Sequence, residues 1–189
     1  MIFMQSPVQF ETERLLMRLC RLEDAEDVFT YAKDPEVGPN AGWQPHQSIE
    51  ETRKILSMWI DNRELIFAIV LKETGKVIGT LGIEEDGVRH NVPGVRSLGY
   101  VLSKEYWGKG YMTEAVKAAI AYAFDVLRLE LLSVNHYPYN LRSKRVIEKC
   151  GFHYEGTLRH ATKVFDGKIL DHCCYSMTKE EYEKWRGNQ

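Results

Sequence analysis

The sequence of 189 residues has few cysteines, little net charge and no long apolar run, and each shortage narrows its reading. Its four cysteines, Cys20, Cys150, Cys173 and Cys174, follow no metal-ligand spacing, and the adjacent pair is not C-x-x-C. Free thiols are expected, with no disulfide and no metal site. The 25 basic and 27 acidic side chains leave a formal net charge of -2, which argues against a general nucleic-acid or membrane-surface binder. No apolar stretch is long enough to span a bilayer, and "MIFMQSPVQFETERLL" has neither the basic start nor the apolar core of a secretory leader. A cytoplasmic protein is expected, with a small or specific partner rather than nucleic acid or membrane. No internal repeat or low-complexity stretch interrupts the chain, so residues 1–189 read as a single domain.

What is present alternates between strand and helix periodicity. "RLLMRLC" reads as a first strand, and "LEDAEDVFTYAK" as a helix starting near Asp24 with Ala25, Val28, Phe29 and Ala32 on one face. Ser48 and Glu51 form a capping-box pattern ahead of a second helix, "ETRKILSMWI", whose inward face is Ile55, Met58 and Trp59. Two strands then turn at Thr74-Gly75, and "RSLGYVL" supplies the fourth strand of an antiparallel meander. From Met112 a third helix keeps Ala115, Val116, Ala119, Ala123, Val126 and Leu127 together, and "ELLSVNHY" follows as a buried fifth strand. "NLRSKRVIEKCG" is a helix from an Asn140 cap to Gly151, with Val146, Ile147 and Cys150 inward. Asp166-Gly167 turns the last two strands. The order β-α-α-β-β-β-α-β-α-β-β predicts an α/β (α+β) fold, a mixed sheet with helices on its faces.

The stretch "EYWGKGYMTEAV" places Gly108 and Gly110 between a strand and a helix start. Unpaired N–H groups and the positive end of a helix dipole converge there, and Lys109 adds a charge, so the turn suits a phosphate. A tight strand-to-helix connection needs the same glycines. No G-x-x-x-x-G-K-[ST] is present, and Thr113 stands where a dinucleotide fingerprint has its third glycine.

In this context the chain resembles the GCN5-related N-acetyltransferase (GNAT) superfamily, within it the RimJ/RimL-like ribosomal-protein N-terminal acetyltransferase branch. The segments "ETERLLMRLCRLEDAEDVFTYAKDPEV", "LGYVLSKEYWGKGYMTEAV", "NLRSKRVIEKCGF", "YEGTLRH" and "FDGKILDHCCYSMTKEEY" carry the resemblance, in order, over nearly the whole chain. It implies a mostly antiparallel sheet splayed into a V between the fourth and fifth strands. It also implies acetyl-CoA as donor, its pyrophosphate on the N–H groups of Gly108, Lys109, Gly110, Tyr111 and Met112, and its pantetheine arm beside Val101 and Leu102. Asn140 would hold the pantetheine, and Ser143 would lie near the sulfur. Homodimers are common in such folds, although no segment here specifies one.

Acetyl transfer to an amine needs a neutral nitrogen, an oxyanion stabiliser and a proton for the leaving thiolate. Ser143 is the candidate acid, because Ile147 occupies the slot where other branches of the superfamily carry a tyrosine. Asn140 equally serves as a plain helix cap. Glu84 and Glu85 are candidate bases, or solvated turn carboxylates; Ser97 takes the place of a glutamate common in relatives. Tyr100, His172 and Trp43 are candidates for the acceptor wall, while Arg145, with Arg142 and Lys144, is a candidate for the 3′-phosphate of CoA. The expected activity is direct attack of a primary amine, of a small molecule or a flexible protein N-terminus, within a ternary complex. A non-catalytic acyl-CoA-binding regulator of the same fold is the alternative. Cys150 has no neighbouring base in sequence, so an acetyl-cysteine route is disfavoured.

Overall fold

The computed structural model describes residues 8–188. "MIFMQSP", the start of the stretch in which no secretory leader is expected, lies outside that span, as does Gln189. The strands are β1 (Gln9–Glu11), β2 (Leu15–Leu19), β3 (Ile66–Leu71), β4 (Val77–Glu84), β5 (Val95–Leu102), β6 (Leu131–His136), β7 (His153–Lys163) and β8 (Ile169–Thr178). They form one sheet in the order β1-β2-β3-β4-β5-β6-β8-β7, antiparallel throughout except for β5 beside β6. The helices are α1 (Ala25–Ala32), α2 (Gly38–Ala41), α3 (Ile49–Asp61), α4 (Tyr111–Ala121), α5 (Leu141–Lys149) and α6 (Lys179–Arg186).

Helices cover both faces, and β3 shows why its sequence is apolar at every position. Phe67, Ile69 and Leu71 pack into one core with Ala115, Val116 and Ala119 of α4 and Ile147 of α5. Ile66, Ala68 and Val70 pack into a second core with Val28 and Ala32 of α1 and Leu56 of α3. A strand buried on both sides loses the usual alternation. Ala115 and Ala119 of α4 are fully buried and let that helix lie close to the sheet. Fully burying a side chain such as Phe67 or Ile147 contributes about 1.5–3 kcal/mol.

Several sequence expectations are corrected. Strand β1 was not foreseen; Phe10 holds it by packing 5.0 Å from Phe67 and 4.7 Å from Tyr122, ring centre to ring centre. The third helix does not run on to Leu127 as α-helix, because a π turn spans Tyr122–Val126. The wider turn rotates the residues beyond Ala121, so Tyr122 and Phe124 are buried while Val126 is exposed. On α3, Met58 faces solvent, and Thr52 and Leu56 supply the fully buried positions. Ser48 does cap that helix, accepting from Glu51 N at 3.2 Å, but the Glu51 carboxylate accepts from Gln47 N. Helices α2 and α6 are additions; the latter begins with a complete capping box between Thr178 and Glu181.

Candidate active site

The sheet opens where β5 and β6 part. Val95–Leu98 pair with Leu131–Val134, after which β5 continues only on β4, through Gly99, Tyr100, Val101 and Leu102, and β6 only on β8. Each strand keeps its outer neighbour and loses its inner one, leaving backbone polar groups of β5 facing a V-shaped gap.

Two cavities occupy this seam. The larger, about 360 Å³, runs from Val101 and Leu102 past Gly108, Gly110, Tyr111 and Met112 to Arg142 and Arg145 of α5. The smaller, about 210 Å³, is walled by Glu84, Gly99, Asn135, His136 and Tyr137. Asn40, Ala41, Tyr100, Asn140 and Ser143 line both, so the cavities adjoin at these residues.

The turn into α4 is built to expose donors. Gly108 and Gly110 have φ of +75° and +82°, a region that residues with a Cβ enter only at a cost. Ser48, Asn140 and Thr178 cap α3, α5 and α6 through their side chains, whereas α4 has no side-chain cap. The N–H groups of its first turn have no intrahelical acceptors, so they remain available to an anion. The Lys109 side chain lies over the Tyr106 ring, 5.4 Å from its centroid.

On the other wall, Asn140 uses both ends of its amide. Its Oδ1 accepts from Ser143 N at 3.1 Å, and its Nδ2 donates to the Asn40 carbonyl at 3.1 Å, tying α2 to α5. The Tyr100 hydroxyl lies 2.9 Å from Ser143 Oγ and donates to the Ser143 carbonyl at 3.3 Å. Burial pushes the Tyr100 pKa well above the usual phenol range, so this hydroxyl keeps its proton. Arg142 stacks on Trp107, 4.3 Å from ring centroid to guanidinium carbon, and Trp107 Nε1 donates to the Leu102 carbonyl at 2.8 Å. Lys144 instead lies 3.8 Å from Glu148 on an exposed face.

The two carboxylates at the end of β4 diverge. Glu84 lines the smaller cavity beside Gly99, one of its oxygens at an ordinary van der Waals distance of 3.6 Å from where a Cβ on that glycine would stand. Partial burial, with Glu64 adding negative charge, raises its pKa. The Glu85 side chain is 94% exposed and lies 3.8 Å from Arg96, so it points into water away from both cavities. His172 packs 5.4 Å from the Tyr137 ring, and Trp43 packs 5.2 Å from His46; neither lines either cavity. The Ile147 side chain is fully buried, and burial pushes the Cys150 thiol up to about 12. Among the described residues, no group of three or more His, Cys, Asp or Glu side chains could hold a metal, and no helix is long and apolar enough to cross a membrane.

Sequence reasoning missed the contribution of α2, although Pro39 just inside it and Gly42 just after it are the usual punctuation of a short helix. It also missed His136. Its Nδ1 lies 2.8 Å from the Tyr137 carbonyl and must be the donor there, while the buried Nε2 has no partner. No local pattern marks such a residue, because its setting comes from the smaller cavity.

Comparison with known proteins agrees with this architecture. Residues 14–153 match the family described as "Acetyltransferase (GNAT) domain". The uncharacterized N-acetyltransferase p20 of Bacillus licheniformis is 33% identical over 178 residues, covering 90% of this chain and 96% of that protein. The crystal structure of ribosomal-protein-S5-alanine acetyltransferase from Vibrio fischeri is 27% identical, covers 93% of this chain and 98% of that one, and superposes with a TM-score of 0.75. Spermidine N-acetyltransferase from Vibrio cholerae, solved with CoA and spermine, shares the fold at 20% identity over 91% of this chain and 99% of that one, TM-score 0.76. From its paired cavities, its split strands and these likenesses, the chain belongs to the GNAT family of acetyltransferases.

Proposed function

We propose that this chain, as one domain over residues 1–189, moves an acetyl group from acetyl-CoA to a primary amine by direct attack in a ternary complex. The observation that carries this reading is the meeting of two cavities at Tyr100, Asn140 and Ser143. One runs beside β5 from Val101 and Leu102 to the α4 turn, as an extended arm would, and the other is a small chamber beyond it. The uncapped start of α4 and the arginines of the facing α5 fit a diphosphate at the far end of the larger cavity. A basic residue in the first turn of a helix opposes its dipole, so Arg142 gains from an anion placed between the two helices, and Arg145, one turn on, adds a second positive charge there.

When bound, acetyl-CoA supplies an acyl group activated by its thioester. The residues of this chain orient it and move two protons. Glu84, at the chamber wall with its raised pKa, takes a proton from the incoming ammonium. Ser143 relays a proton to the leaving sulfur, taking up in exchange the second proton that the attacking nitrogen loses as the amide forms, and the Tyr100 hydroxyl 2.9 Å away holds the serine hydroxyl in line. Asn140 fixes the α5 start from which Ser143 projects. A buried Cys150 thiol held up near 12 does not form the thiolate that an acetyl-cysteine route requires.

The relative from Vibrio fischeri is named for the alanine of a ribosomal protein, and the one from Vibrio cholerae for spermidine. Both kinds of acceptor, a flexible protein N-terminus and a small amine, suit a chamber of about 210 Å³. The reaction is expected to take place in the cytoplasm. The test is release of free CoA from acetyl-CoA across a panel of amines and N-terminal peptides, with Ser143→Ala and Asn140→Ala in parallel. Acceptor-dependent release that falls in both variants supports the transferase. Saturable CoA binding without release by any acceptor supports the regulatory alternative.

A further inference from the structure

Arg14 stands beside the turn that enters α4, although it comes from the hairpin between β1 and β2 at the far end of the sequence. Its Nε and Nη2 donate to Glu114 Oε2 at 2.7 and 2.6 Å, and Glu114 sits in the first turn of α4. Its backbone N–H donates to Glu114 Oε1 at 3.1 Å, and Thr12 Oγ1 donates to the same oxygen. The third nitrogen, Nη1, donates to the Lys109 carbonyl at 3.3 Å, while the guanidinium lies 4.2 Å over the Tyr111 ring. One side chain thus holds the turn and the start of α4 at three points, Lys109, Tyr111 and Glu114.

Two physical consequences follow. A carboxylate in the first turn of α4 would repel an anion seeking the same N–H groups, and the paired guanidinium cancels that charge. In a planar trans peptide the carbonyl and the following N–H point to opposite sides. With the Lys109 carbonyl held toward Arg14, the Gly110 N–H is directed away from it. Rotating this peptide the other way changes ψ of Lys109 and φ of Gly110, and Gly110, at φ +82° and without a Cβ, accepts either sign of φ at little steric cost.

We propose that Arg14 is a positioning residue that holds the peptide between Lys109 and Gly110 in its donor-outward orientation and neutralises Glu114, thereby presetting the turn for the pyrophosphate of the donor. This rests on the reading of the larger cavity as the acetyl-CoA site. Arg14 acts through the turn and does not touch the reacting atoms.

The test measures CoA affinity by calorimetry and steady-state kinetics for the wild type, Arg14→Gln, Arg14→Lys and Lys72→Met. Lys72 braces the same hairpin, through Thr12 O at 2.6 Å and Glu11 at 2.9 Å, without touching the turn. Loss of charge-assisted bonds predicts that Arg14→Gln raises the CoA Kd and acetyl-CoA KM about ten-fold or more. Its saturated kcat and amine KM stay within about two-fold, and Arg14→Lys, with the charge but not the planar fork, falls between. Lys72→Met lowers the melting temperature without raising the acetyl-CoA KM. Unchanged CoA affinity in Arg14→Gln overturns the proposal, and so does an equal loss in Lys72→Met, which would trace the effect to hairpin stability. Wild-type protein that binds no CoA removes the underlying reading as well, whereas wild-type binding matched by Arg14→Gln removes the positioning role alone.

Discussion

The Tyr100 hydroxyl on β5 stands 2.9 Å from Ser143 Oγ at the start of α5, at the seam where the two cavities meet. These residues are 43 positions apart in sequence, and their contact ties β5 to α5, the helix that follows β6.

If the pair delivers the proton to the leaving sulfur, Ser143→Ala is expected to lower kcat by about 100-fold, within the usual range for a positioned acid. Tyr100→Phe keeps the ring and removes the bond, and is expected to cost about ten-fold. Acetyl-CoA KM should change by less than about three-fold in both, since the loss lies in the transition state. Steady-state kinetics at saturating amine checks this; an equal rise in KM with unchanged kcat would make the pair a binding contact only.

Glu84 and Glu85 separate cleanly by environment. Glu84→Gln is expected to lower kcat/KM for the amine by about 100-fold and to abolish its acidic limb. That limb belongs above the ordinary glutamate value of 4.5, because burial and Glu64 raise the Glu84 pKa. Glu85→Gln should leave the rate within about two-fold, as expected of a solvated charge. A pH–rate profile of both variants decides between the two carboxylates.

Gly110→Ala and Gly75→Ala make a matched pair, since both glycines have positive φ and neither would bring a Cβ into a hard contact. Each is expected to destabilise the fold by about 1 kcal/mol in urea titration. Only Gly110→Ala should also raise the acetyl-CoA KM, because only that turn borders the larger cavity.

Glu114 gives a pH dependence of stability with a definite sign. Burial pushes its pKa up, but hydrogen bonds from Thr12 and Arg14 outweigh this and hold it below its ordinary 4.5. A carboxyl with a depressed folded-state pKa stabilises the fold above its unfolded pKa and loses that contribution as pH falls through the folded one. Unfolding free energy measured in urea should therefore fall on acidification below about 4.5, and Glu114→Gln should flatten this slope.

Local periodicity and punctuation made most elements legible in the sequence. The doubly apolar run of β3, the Asn140 cap, the turns at Gly75 and Gly167 and the Gly-x-Gly before α4 are each dictated by neighbours within a few residues. The ordered motifs also identified the family. Thr178 and Glu181 mark the start of α6 just as locally, through a capping box that follows directly on β8.

What only the tertiary structure decided is which separate elements meet. Whether Glu84 or Glu85 faces the chamber depends on β4 lying beside β5, where Glu84 pairs with Ser97 at the chamber wall. The outward turn of Val126 follows from a π turn that helical periodicity could not anticipate. Asn40 and His136 reach the cavities, and Arg14 reaches the α4 turn, only because the sheet brings distant segments together. A sequence records each residue's local preference directly, whereas a site drawn from many segments exists only after the core has fixed their packing.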